Sequence, residues 1–204
     1  MTEQVRLYIS AASDLEGERE ILGRAVTEIP VDLGWRISQS PRRNDPVDED
    51  AVVRADVHVL LLGSDIRAPV GLEWLAARRA GQQPLPFLKR DVRRTPAAME
   101  FIRYIESQAS WQPFYNGADL RRKVLVRLAD HILDRAVTYR LSPMELESLR
   151  AWRSELTASP SAADEETRGG AGESGLILSQ ERYVPSEGIL IQPGKDEAPN
   201  EDDA

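Results

Sequence analysis

Along the first 140 positions, short β-branched runs alternate with longer stretches whose apolar residues repeat every three to four places, and this alternation sets the expected fold. Val5-Arg6-Leu7-Tyr8-Ile9-Ser10 has the length and composition of a strand. Leu15, Leu22, Val26 and Ile29 then share one helical face, with Ser13 and Glu16 at capping-box spacing and Pro30 as the stop. Leu33 to Ile37 predicts a second strand, Ser40 to Pro46 an exposed loop, and Asp48 to Arg54 a short helix. Asp56 to Gly63 is the most apolar run of the chain and predicts a central strand buried on both faces.

The alternation continues. Gly71 to Ala80 reads as a helix capped by Gly81, Pro84 to Lys89 as a strand, and Thr95-Pro96 as the start of a helix reaching about Ser107. Trp111 to Tyr115 suits an edge strand. Leu120, Val124, Leu128 and Ile132 mark a long helix, and Ser142-Pro143-Met144-Glu145 opens a last one, again with a capping box. Four or five strands, each followed by a helix, predict a doubly wound open parallel sheet with ligands beyond the carboxyl ends of its strands. The expected organisation is an α/β domain over residues 1–140, a C-terminal helix over 141–156 packing on it, and a flexible tail over 157–204.

Charge separates the tail from the body. Residues 1–156 hold 23 acids and 23 bases; the tail holds the remaining 11 acids (34 − 23) and 3 bases (26 − 23), which accounts for the whole net charge of −8. A neutral body and an acidic tail lack the basic field that nucleic-acid binding needs, so nucleic acid is not an expected partner. The tail also repeats a strand-forming motif at 175–178 and 188–191, and Leu176, Ile177, Leu178, Ile189, Leu190 and Ile191 are candidates for adding to a sheet edge, on the body or on a protein partner.

With no cysteine and two histidines, His58 and His131, the chain offers neither disulfides nor a thiolate metal site, and no metal is expected. His58 reads as a buried strand residue with one hydrogen-bond partner, His131 as a helix-surface residue, and Trp35, Trp111 and Trp152 as packing residues. No segment approaches the ~20 apolar residues of a membrane span, and the N-terminus has no secretion-signal pattern, so the expected location is cytoplasmic, with no membrane contact.

Three blocks resemble a known family. The strand Val5–Ser10 followed by Asp14-Leu15-Glu16 and Glu18-Arg19, the run Val53–Gly63, and Glu73-Trp74-Leu75-Ala76 leading to Phe87-Leu88 are similar in order and spacing to a bacterial TIR-like family found beside STAND-type modules in defence and signalling proteins. The resemblance spans about residues 5 to 135 and implies a TIR-like, flavodoxin-like sheet. It also implies one of two activities: assembly with protein partners or with further copies, or cleavage of the nicotinamide glycosidic bond of NAD. For the second, NAD is the substrate and Glu73 stands where the essential glutamate of such enzymes lies.

A carboxylate beside the ribose stabilises the positive charge that develops in glycosidic cleavage. Ser10 and Ser13, in a turn before a helix N-terminus, and Arg19 are candidate phosphate contacts, and Asp65 and Arg67 are candidate ligand or partner contacts in the loop after the central strand. Ser13, Asp14 and Glu16 equally suit simple helix capping. The segment Arg67-Ala68-Pro69-Val70-Gly71-Leu72 lacks the serine that NAD-cleaving TIR domains usually carry there. The leading expectation is therefore a signalling and protein-interaction module of a bacterial defence or conflict system, with an NAD glycohydrolase using Glu73 as the alternative. No cofactor is firmly implied.

Overall fold

The computed structural model describes residues 4–41 and 45–158. In chain order the elements are β1 (Gln4–Ala11), α1 (Glu16–Ala25), β2 (Gly34–Gln39), α2 (Glu49–Val53), β3 (Val57–Leu62) and α3 (Ala68–Arg79). They continue as β4 (Leu85–Lys89), α4 (Pro96–Glu106), β5 (Gln112–Phe114), α5 (Gly117–Asp134) and α6 (Pro143–Ala158). The strands form one five-stranded sheet in the order β2-β1-β3-β4-β5, with every neighbouring pair parallel. This is the doubly wound order shared with flavodoxin.

Strand alternation assigns the two faces of the sheet. Val5, Leu7, Ile9, Val57, Val59 and Leu61 pack with Leu22 of α1 and with Val124, Leu128 and Ile132 of α5. Leu60 lies on the opposite face with Val70 and Trp74 of α3 and Ile105 of α4, and Tyr8 on that face meets Val52 of α2 and Ala77 of α3. All six residues of β3 are buried, as its unbroken apolar run predicts for a strand covered on both sides. Leu149 of α6 joins the α5 side of the core, and Arg153 holds Asp130 of α5 at 2.9 Å.

The caps follow the sequence at three helices. Thr95 accepts from Ala98 N at 3.2 Å with Pro96 in the first turn, and Ser142 and Glu145 form the reciprocal pair of a capping box at 2.8 and 3.3 Å. Gly81, at φ +77°, closes α3: its N–H reaches Arg78 O at 3.1 Å and the next N–H reaches Ala77 O at 3.0 Å. Ser13 departs from its expected role. A 3₁₀ turn over Ser13–Leu15 precedes α1, whose N-cap is Leu15 without a side-chain cap, so Ser13 sits inside the turn instead of opening the helix.

Two further expectations are corrected. The last helix runs to Ala158, past the expected boundary at 156, and Thr157 Oγ1 donates to Arg153 O within its final turn at 2.8 Å. His131 is half-buried instead of lying on the surface: its Nε2 meets Tyr139 OH at 2.9 Å and Arg135 donates to its Nδ1 at 2.6 Å. Trp35, Trp111 and Trp152 pack against the core, as expected. The tail segments proposed as partner-binding lie outside the described residues.

At the carboxyl edge, one carboxylate joins the loops after β1 and β3. Asp14 Oδ2 accepts from Ser64 N at 2.8 Å and from Ser64 Oγ at 2.6 Å, and Gly63 leaves the room for it, since a Cβ there would collide with that same oxygen. Gly63→Ala is therefore expected to cost about 1–3 kcal/mol by crowding, with part of the loss returned in the Gly63→Ala, Asp14→Ala double variant. Urea unfolding of the four proteins of this cycle measures the coupling; strict additivity would refute the contact.

Candidate functional site

The candidate site is a polar group buried between β1, β3 and α3, which exists because β1 interrupts its apolar pattern on one face only. Leu7, Ile9 and Ala11 point toward α1 and α5, so the alternating positions Tyr8 and Ser10 point toward α3. His58 of β3 lies beside Tyr8 in the parallel register, their rings edge to face at 5.3 Å between centroids. Glu73 enters from the second turn of α3, and Ser40 arrives just past the end of β2, held by Ile9 O at 3.0 Å through its own N–H.

Both oxygens of the carboxylate are engaged from within. Tyr8 OH donates to Glu73 Oε1 at 3.0 Å and Ser40 Oγ to Oε2 at 2.7 Å, while the Ser10 hydroxyl also donates to Glu73. Ser40 Oγ accepts in turn from Ala11 N at 3.0 Å. Arg19 of α1 reaches Ser40 O with Nη1 at 3.3 Å and Glu16 with Nη2 at 3.2 Å. Glu73 and Ser10 are both 0% exposed, and Tyr8, Ser40, Arg19 and His58 are buried with them.

Electrostatics follow from this packing. Burial raises the pKa of Glu73, and the hydroxyls of Ser10, Ser40 and Tyr8 together with the Arg19 guanidinium pull it part of the way back. Burial, reinforced by the neighbouring carboxylate, pushes the Tyr8 phenol far up, so it stays a neutral donor. Burial drives His58 down to about 3, which keeps it neutral. Ser10 Oγ and His58 Nε2 lie 2.7 Å apart in a hydrogen bond whose direction is set by the tautomer of the ring. Nδ1 has no hydrogen-bond partner among the described residues.

The structure brings together three of the candidates named from sequence, Glu73, Ser10 and Arg19, and holds them beneath the surface. Asp65 and Arg67 remain at the carboxyl edge. Asp65 is exposed and accepts from Thr95 Oγ1 at 2.6 Å and from Ile66 N at 2.9 Å, and these bonds hold its carboxyl below the usual range. Arg67 is the half-exposed N-cap residue of α3. His58 is buried with Ser10 as its side-chain partner, as expected. Sequence reasoning passed over Tyr8 and Ser40. The signal for Tyr8 was its place two residues before Ser10, on the same strand face; Ser40 carried none, because it lies beyond the strand in a segment read as exposed loop.

Chemically, the group is a carboxylate acceptor whose two oxygens are engaged by the protein's own hydroxyls. With Glu73 0% exposed, neither oxygen meets a ribose in this arrangement. Among the described residues no cluster of His, Asp or Glu has the arrangement of a metal site, and no helix is long and apolar enough to cross a membrane. Comparison with known protein families, with curated proteins and with solved structures finds no match to this chain.

A raised carboxyl pKa has a definite thermodynamic sign. Folded Glu73 keeps its proton at pH values where the unfolded chain has lost it, so its contribution is most favourable below the ordinary glutamate value of about 4.3 and is lost as pH rises through the folded value. His58 acts oppositely, lowering stability as pH falls from about 6.5 toward about 3. Glu73→Gln removes the first dependence and keeps the second. The unfolding free energy of wild type minus that of Glu73→Gln should therefore fall with rising pH above about 4.3 and then level off. Denaturant unfolding across pH tests this; a flat or rising difference would contradict it.

Proposed function

We propose that the domain is a TIR-like protein-interaction module of a bacterial defence or conflict system, acting through its surface and not as an NAD glycohydrolase. The observation that carries this reading is the state of Glu73, which is 0% exposed and held by Tyr8, Ser40 and Ser10. A carboxylate that stabilises an oxocarbenium-like centre has to reach the sugar, and this one is turned to the sheet instead. The folded body leaves Leu72 of α3 54% exposed and Met99 and Tyr104 of α4 47% and 44% exposed, apolar side chains of the kind that protein contacts use.

On this reading the partner is a second copy or another protein of the same system, and the apolar tail segments Leu176–Leu178 and Ile189–Ile191 supply a further contact to that partner. Glu73 serves the fold, and its role is to pin the ends of β1 and β2 to α3. The glycohydrolase alternative rests on the same carboxylate and requires it to become accessible.

One assay separates the two. Full-length protein at high concentration with NAD is expected to release nicotinamide no faster than Glu73→Gln, while sedimentation velocity gives the same association behaviour for both. Nicotinamide release by wild type that disappears in a folded Glu73→Gln variant would overturn the proposal in favour of the enzyme.

A further inference from the structure

A cavity of about 420 Å³ lies on the α2 side of the sheet, lined by β1, β2 and the residues of and around α2. Its volume falls in the range of small-molecule sites. It is open because β2 is an edge strand and α2 is five residues long: Val52 of α2 packs on Tyr8 of β1, and over β2 Ser38 is left half-buried and Arg36 exposed. In the parallel register Arg6 of β1 is the partner of Arg36, so the two side chains leave the same face of neighbouring strands, about 4.8 Å apart at their bases. Arg54, which follows α2, lines the same cavity.

Three guanidinium groups thus meet two carboxylates there, Asp48 and Asp50, and both carboxylates have partners within the chain. Asp50 holds Arg54 at 2.7 Å, and Asp48 Oδ1 accepts from Ala51 N at 2.9 Å as the N-cap of α2. Asp48 keeps its charge through this bond and opposes an incoming anion. The Arg6 guanidinium reaches Arg54 O at 3.3 Å and has no carboxylate partner among the described residues; Arg36 has neither ion pair nor hydrogen bond among them. Two like charges held side by side repel, and an anion between them is attracted to both. A phosphate monoester concentrates nearly two negative charges and three acceptor oxygens on one small head, and guanidinium forks fit such oxygens two at a time.

We propose that this cavity binds the phosphate group of a small phosphate monoester, held by Arg6 and Arg36 from the two strands with Arg54 beside them. Glu73 does not line the cavity, so the site stands whichever reading of that residue holds.

The test is an NMR titration of the full chain with glycerol 3-phosphate, beside dimethyl phosphate, which carries one charge, and sodium chloride at matched ionic strength. Glycerol 3-phosphate should give saturable shifts of the Arg6, Arg36 and Ser38 amides, dimethyl phosphate should bind about two- to fivefold more weakly, and chloride should give no saturation. Arg36→Gln, an exposed change that leaves the core intact, should weaken glycerol 3-phosphate about tenfold. Asp48→Asn, which keeps a capping side chain at that position, should strengthen it about two- to fivefold. No saturable shift at these amides, the same response to chloride, equal affinity for the two phosphates, or unchanged affinity in both folded variants would overturn the proposal.

Discussion

Burying a carboxylate costs free energy that short hydrogen bonds from fixed donors have to offset, and the α3 side of this sheet is organised around meeting that demand for Glu73. Tyr8 and Ser10 are there because β1 alternates, Ser40 because β2 ends beside Ile9, and Arg19 because α1 turns its charged end toward Ser40. The group joins residues far apart in sequence, so it forms only when β1, β2, α1 and α3 are all in place. Such a network is strong when complete and costly when one donor is missing. That is the physical reason to regard Glu73 as a keystone of the fold before regarding it as a reagent.

The carboxyl edge, where doubly wound sheets commonly place their chemistry, is tied together in the same way. Asp14 holds Ser64, Asp65 holds Thr95, and Lys89 holds Glu18 at 2.5 Å, so several of its charges are directed at neighbouring loops.

Much of the architecture was legible because each element states its own period. Val57 to Leu62 could only be a doubly covered strand, Thr95-Pro96 and Ser142-Pro143 announced their helices, and Gly81 ended one at the φ only glycine adopts freely. The site was legible in part. Glu73 and Ser10 stood out by type and place, and the structure joins them; their burial did not stand out, because it depends on Tyr8, Ser40 and Arg19 arriving from three other elements. Ser13 shows the limit of a local rule: its spacing to Glu16 fits a cap, yet a 3₁₀ turn moves the N-cap two residues on, to Leu15. His131 shows another, since Tyr139 and Arg135 fold back on it from beyond α5.

The measurement closest to the central claim is the pH titration of the Glu73 carboxyl carbon by ¹³C NMR, with and without saturating NAD. Burial predicts protonation above the ordinary glutamate range, against the pull of Tyr8, Ser10 and Ser40, and a titration curve that NAD leaves unchanged. A carboxyl that titrates as an ordinary surface glutamate, or one whose resonance moves on adding NAD, would contradict the account and return Glu73 to the position of a catalytic candidate.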